Sequence, residues 1–182
     1  MQNFLKWTLE TIRKDGSSMS WMEEKRLEWV PLVATMLNKM LQGNTFVILT
    51  DQNREWFEQY IISSINNKDK NRPFMPFVSL KSFFPLINTL KTKDDIMLLE
   101  DLLSVLYPTG YTFFYIGQSS DFKFQIAKGK NYSFLWVMDE EVQNSFYLRS
   151  SDEALDVKLV QLFKLLDKSI DAFLFGEVKF GD

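Results

Sequence analysis

The sequence contains no cysteine and no histidine. Without cysteine there are no disulfides and no thiolate nucleophiles, and without either residue the usual zinc sites have no ligands. Without histidine, the side chain that titrates near neutral pH is missing. An enzyme built on this chain must use perturbed Asp, Glu or Lys residues, or a Ser or Thr activated by one of them. Glycine is scarce, at 7 in 182 residues, and no glycine-rich loop follows the first apolar run at residues 46–49. No apolar run reaches the roughly 18 residues of a membrane span. The opening MQNFLKWTLE carries charges where a signal peptide needs its apolar segment, so the expected location is the cytoplasm. Excess positive charge is also absent: 21 Lys and Arg face 24 Asp and Glu, interspersed, for a net charge of −3. A DNA-binding chain normally shows a basic stripe. The nearest approach, Lys68-Asp69-Lys70-Asn71-Arg72, reads as a solvated loop.

Aromatic residues are abundant, with 17 Phe, 6 Tyr and 5 Trp. Rings on this scale need a dense aromatic core or burial between subunits, and composition leaves both open. A length of 182 residues suits one domain, taken here as 1–182.

Periodicity predicts an amphipathic helix over residues 3–14, ended by Gly16, then a longer helix over about 20–41 with a kink or break at Pro31. Residues 46–49 read as a strand covered on both faces. The helix after it carries Trp56, Phe57, Tyr60, Ile61 and Ile65 as the stripe expected to pack on the sheet. A short strand at 77–80, an irregular helix at 81–90, and a helix opened by the capping box Thr92…Asp95 follow. Further strands are expected at 111–116, 133–138 and 146–149, with a short helix at 121–128 and a long last helix opened by Ser150…Glu153. Alternating strands and helices argue for an α/β fold with a parallel, doubly wound sheet of four to five strands flanked by helices.

In such sheets ligands bind beyond the carboxyl ends of the strands. The loop at 50–54 offers Asp51, whose carboxylate repels phosphate, and Arg54, close enough to pair with it. Gly117-Gln118-Ser119-Ser120 is the one stretch resembling a phosphate cradle, against a plain turn as the simpler reading. Asp139-Glu140-Glu141 could form a carboxylate pair or magnesium site, against the simpler reading as charges at a helix N-terminus. The last helix is apolar around most of its circumference, from Leu155 and Val157 to Phe173 and Leu174. It is therefore either sandwiched within the chain or shared with another, and the aromatic surplus favours sharing. Candidate partner-contacting residues are Asp51 and Arg54, the aromatic loop Phe83-Phe84, and Leu174-Phe175, which as neighbours cannot both follow one helical stripe.

Arg54-x-Trp56-Phe57-x-x-Tyr60-Ile61, Ser133-Phe134-Leu135-Trp136 and Asp156-x-Lys158-Leu159-x-Gln161-Leu162-Phe163-Lys164-Leu165 together resemble the HobA family of DnaA-binding regulators of replication initiation. The resemblance runs over nearly the whole chain and rests on joint spacing. It implies a Rossmann-like, SIS-like three-layer sandwich related to DiaA, and a homotetramer that binds the N-terminal region of DnaA. It also implies a function without catalysis; no cofactor, no metal, no direct DNA contact and no membrane contact are expected. A sugar-phosphate-binding or isomerase SIS-domain protein is the alternative, and the missing phosphate loop counts against it.

Overall fold

The computed structural model describes residues 1–130 and 132–179. Its elements in chain order are β1 (Gln2–Asn3), α1 (Phe4–Lys14), α2 (Met22–Leu41), β2 (Thr45–Thr50), α3 (Glu55–Ile65), β3 (Phe77–Ser79), α4 (Leu80–Phe83), α5 (Lys93–Leu106), β4 (Tyr111–Gln118), α6 (Phe122–Gly129), β5 (Phe134–Met138), β6 (Ser145–Leu148), α7 (Leu155–Leu174) and β7 (Val178–Lys179). They divide into two compact units, residues 1–37 with 151–182, and residues 38–150.

The central unit carries a five-stranded, all-parallel sheet in the order β3-β2-β4-β5-β6. The chain leaves β2 toward β3, returns past it to β4 and then moves outward, so the order reverses between β2 and β4. Alternate residues of each strand face opposite ways. Val47, Leu49, Phe113, Tyr115, Leu135 and Val137 face one core, with Leu80 of α4, Leu99 and Leu103 of α5, and Phe124 and Ala127 of α6. On the other face Phe57 of α3 packs at a tilt against Trp136, which meets Phe114 and Phe134 edge-on. The sheet thus has helices on both faces, the doubly wound arrangement expected from the alternation of elements.

Most of the aromatic surplus is spent here. Phe46, Phe57, Phe113, Phe114, Tyr115, Phe124, Trp136 and Phe146 are all fully or almost fully buried. Trp56 departs from the expected stripe and is 42% exposed. It is next to Phe57 on a helix, where adjacent side chains diverge by about 100° and only one can face the sheet.

In the other unit, α1 begins where Asn3 Oδ1 accepts from the Leu5 and Lys6 amides. The chain ends pair, β1 running parallel to β7, a two-residue ladder too short for a hydrophobic pattern to reveal. Helix α2 continues through Pro31 without the expected break. Pro31 withholds an N–H from Leu27, and both residues are exposed, so the helix meets solvent where that bond is lost. The capping box expected at Ser150…Glu153 does not form: α7 starts at Leu155, with no side-chain hydrogen bond at its cap. Leu155, Leu159, Leu162, Phe163, Leu165, Leu166 and Ile170 are buried, whereas Val157 is exposed. The wide apolar face of α7 is therefore mostly covered by its own chain rather than left for another.

Candidate functional site

The site is organised at the carboxyl ends of β2 and β4, where the strand order reverses and a crevice must open. Asp51 follows β2 directly. Its Oδ1 accepts from the Arg54 amide at 3.1 Å and caps the 3-10 turn over Gln52–Arg54. Its Oδ2 accepts from the Gln118 amide of β4 at 2.8 Å and lies 2.8 Å from Arg54 Nη2. Burial pushes the Asp51 carboxyl up, opposed by these N–H groups and by Arg54. Tyr115 sits beneath, its hydroxyl donating to the Gln118 carbonyl at 2.7 Å, and burial raises its phenol well above the ordinary value.

This arrangement decides the fate of the Gly117–Ser120 stretch. Gly117 and Gln118 are the last residues of β4, not a loop. The Gln118 N–H that a phosphate would need is already taken by Asp51. Gly117 is required for space: a Cβ there would lie 2.6 Å from Tyr115 Oη and 2.7 Å from Asp51 Oδ2. Gly117→Ala is expected to cost about 1–3 kcal/mol through overpacking, read as a lower urea midpoint at unchanged slope.

Beside the Asp51 bridge lies a cleft of about 490 Å³, lined by Gln52, Glu55, Lys81, Ile87, Asn88, Leu90, Asp121, Phe122 and Lys123. Asp121 caps α6, accepting from the Lys123 amide at 2.8 Å. Lys81 Nζ pairs with Glu55 at 2.8 Å. Lys123 is buried, and its Nζ donates to the Thr50 carbonyl at 2.9 Å. Glu58, also buried, accepts from Thr50 Oγ1 at 3.1 Å. Sequence gives no warning of either buried charge, because a lysine or glutamate on an amphipathic helix normally reads as solvated.

Asp139-Glu140-Glu141 is neither a helix N-terminus nor a carboxylate pair. Asp139 has φ 68°, a left-handed conformation that Asp tolerates, and its carboxylate accepts from the Ser150 hydroxyl and amide and from Gln118 Nε2. Those bonds, led by the Ser150 hydroxyl, hold its carboxyl below the usual range. Such a group stabilises the fold above about pH 4, and the contribution is lost as pH falls through its lowered value. Asp139→Asn is accordingly expected to flatten stability against pH below about pH 4, measured by urea unfolding across an acid series. Glu140 and Glu141 are exposed. Among the described residues no group of three or more Asp or Glu is placed to hold a metal ion, and no helix is long and apolar enough to cross a membrane.

The other candidates fall in different settings. Phe83 is 36% exposed and meets Tyr107 edge-on, while Phe84 packs partly buried against the sheet-side core. Leu174 is half-buried at the end of α7, and Phe175, just past it, is 59% exposed. Asp51 and Arg54 are buried and engaged with each other. The structure brings these two together and leaves the aromatic candidates apart from them along the chain.

A larger exposed apolar surface lies on α5, where Met97, Leu98, Leu102, Val105 and Leu106 all face solvent. Its signal is present in the sequence: apolar residues at 96–99, 102, 103, 105 and 106 exceed one helical face. Leu99 and Leu103 take the sheet side, leaving the others outward.

A family model described as "HobA: DNA replication regulator" matches residues 1–180. The chain belongs to the HobA family of DNA replication regulators. It is 30% identical over 186 residues to the DNA replication regulator protein HobA of Helicobacter pylori, covering 98% of this chain and 99% of that one. The crystal structure of H. pylori HobA matches with a TM-score of 0.75 at 28% identity, covering 98% of this chain and 99% of that chain. A HobA chain from a crystal structure of the H. pylori HobA–DnaA (domain I–II) complex matches with a TM-score of 0.73 at 29% identity and the same coverage. The resemblance in the sequence and the parallel α/β fold both agree with this membership.

Proposed function

We propose that this HobA-family chain is a non-catalytic, cytoplasmic scaffold that binds the N-terminal region of DnaA. As a homotetramer it promotes ordered DnaA assembly at the replication origin. The observation that carries this reading is the match, over 98% of the chain, to a HobA structure solved with DnaA domains I–II. A scaffold that holds several DnaA molecules raises their effective concentration, to about millimolar for short tethers, without touching DNA itself. The net charge of −3 favours such a protein partner over a DNA backbone. Of the candidate contacts, Phe83 and Phe175 have the exposure to meet DnaA, whereas Asp51 and Arg54 act by fixing the loop that follows β2.

The exposed row on α5 supports self-association. Light scattering on the purified chain is expected to give a tetramer, and one bound DnaA N-terminal fragment per subunit when that fragment is added. The double substitution Leu98→Asp and Val105→Asp is expected to reduce the tetramer to smaller species while leaving the circular dichroism spectrum unchanged. A monomeric parent protein would overturn the scaffold, and a parent that fails to retain the DnaA fragment would overturn the partner.

A further inference from the structure

At and beside the cleft at the ends of β2 and β4 lie two charged groups whose hydrogen-bonding capacity the described residues do not fill. Glu58 is 4% exposed, and while Oε2 is engaged by Thr50, Oε1 has no hydrogen-bond partner among the described residues. Lys123 is 8% exposed, and its bond to the Thr50 carbonyl is the one its ammonium makes among the described residues, leaving two of its three hydrogens. Leaving a buried charge short of partners is costly, so a group that completes both is favoured there.

Glu58 and Lys123 share a cavity of about 10 Å³ that also borders Glu55, Lys81 and Ile87. Those last three residues and Lys123 line the larger cleft too, so the cavity adjoins it. It has room for about one water-sized group. A hydroxyl fits the demand, since it donates to Glu58 Oε1 and accepts from Lys123 Nζ at the same time.

We propose that this cleft binds a small uncharged polyhydroxyl compound, of the sugar or sugar-alcohol class, with one hydroxyl seated between Glu58 and Lys123. The lining charges select against anions. With Glu58 counted, the three carboxylates Glu55, Glu58 and Asp121 outnumber Lys81 and Lys123. A phosphate is further opposed because carboxylates already hold both helix starts: Glu55 opens α3 and Asp121 caps α6. In the cleft, the Gln52 and Asn88 amides offer both donors and acceptors to further hydroxyls. Ile87, Leu90 and Phe122 supply an apolar wall for the C–H face of the compound. This inference is independent of DnaA binding.

Polyols stabilise many proteins by exclusion from the surface, so a raised melting temperature proves nothing; saturable binding is the readout. The full chain, labelled with ¹⁵N, is titrated with D-glucose, D-mannose and D-sorbitol, following the amides of Gln52, Asn88 and Lys123. At least one probe is expected to give saturating shifts within the tens of millimolar, with glucose 6-phosphate about tenfold weaker or more than glucose. Lys123→Met is expected to weaken binding about tenfold, and Asn88→Ala, at an exposed position where folding is not at stake, severalfold. Absence of saturation for all three probes, tighter binding of the phosphate ester, or unchanged binding by both variants overturns the proposal.

Discussion

Asp51→Ala is expected to lower stability by about 3–5 kcal/mol, because it leaves the Arg54 guanidinium buried without its counter-charge. The side chains of Asp51 and Arg54 are each 7% exposed and their charged atoms are 2.8 Å apart, so solvent cannot take over the lost interaction. The same substitution strips the Gln118 amide of its acceptor and unties β2 from β4 at the point where the strand order reverses. Out of a typical total of about 5–15 kcal/mol, that loss removes a large share of the fold's margin. Urea unfolding followed by circular dichroism measures it. Adding Arg54→Met to Asp51→Ala is expected to restore about 1 kcal/mol or more, since the orphaned charge is then gone. A loss below about 1 kcal/mol in the single variant would show that the pair behaves like a surface salt bridge.

Trp136→Ala is expected to cost about 3–5 kcal/mol as well, by a different route. Trp136 is fully buried in the middle of β5, with ring centroids 5.0 Å from Phe114, 5.8 Å from Phe134 and 6.1 Å from Phe57. Removing the indole forfeits its transfer from water and the edge-on contacts, and leaves a cavity beneath α3 that stiff aromatic neighbours cannot collapse to fill. For a chain of this size the loss corresponds to a fall in Tm of about 6–20 °C. Trp136→Phe keeps most of the volume and is expected to lose less than half as much. If both variants melt alike, the aromatic cluster is not what holds α3 to the sheet.

The two substitutions also separate what each half of the pattern can reveal. Trp136 lies in a short run of apolar and aromatic residues, and that run alone announces a strand buried on both faces. Asp51 follows a similar run, and its identity warns that no phosphate belongs there. Its actual bonds reach 67 residues along the chain, to Gln118, a separation that no local spacing encodes. The α7 cap shows the converse. Ser150 and Glu153 have the spacing of a capping box, yet Ser150 is held by Asp139 and the helix begins later. A local preference of about 1 kcal/mol yields to a tertiary contact of similar size.

The loop after β2 carries the same division into the candidate site. The sequence by itself determined the parallel α/β architecture, the lack of a phosphate loop and the resemblance to HobA, because these rest on residue types and on short-range periodicity. Only the tertiary structure decided that Asp51 and Arg54 are buried against each other, with Asp51 tying the end of β2 to β4. It also decided that α5, not α7, carries the exposed apolar row, and that Glu58 and Lys123 border one small cavity beside a cleft. The physical reason is that a side chain's chemistry is local, whereas its burial and its unfilled bonds depend on neighbours brought together from distant parts of the chain.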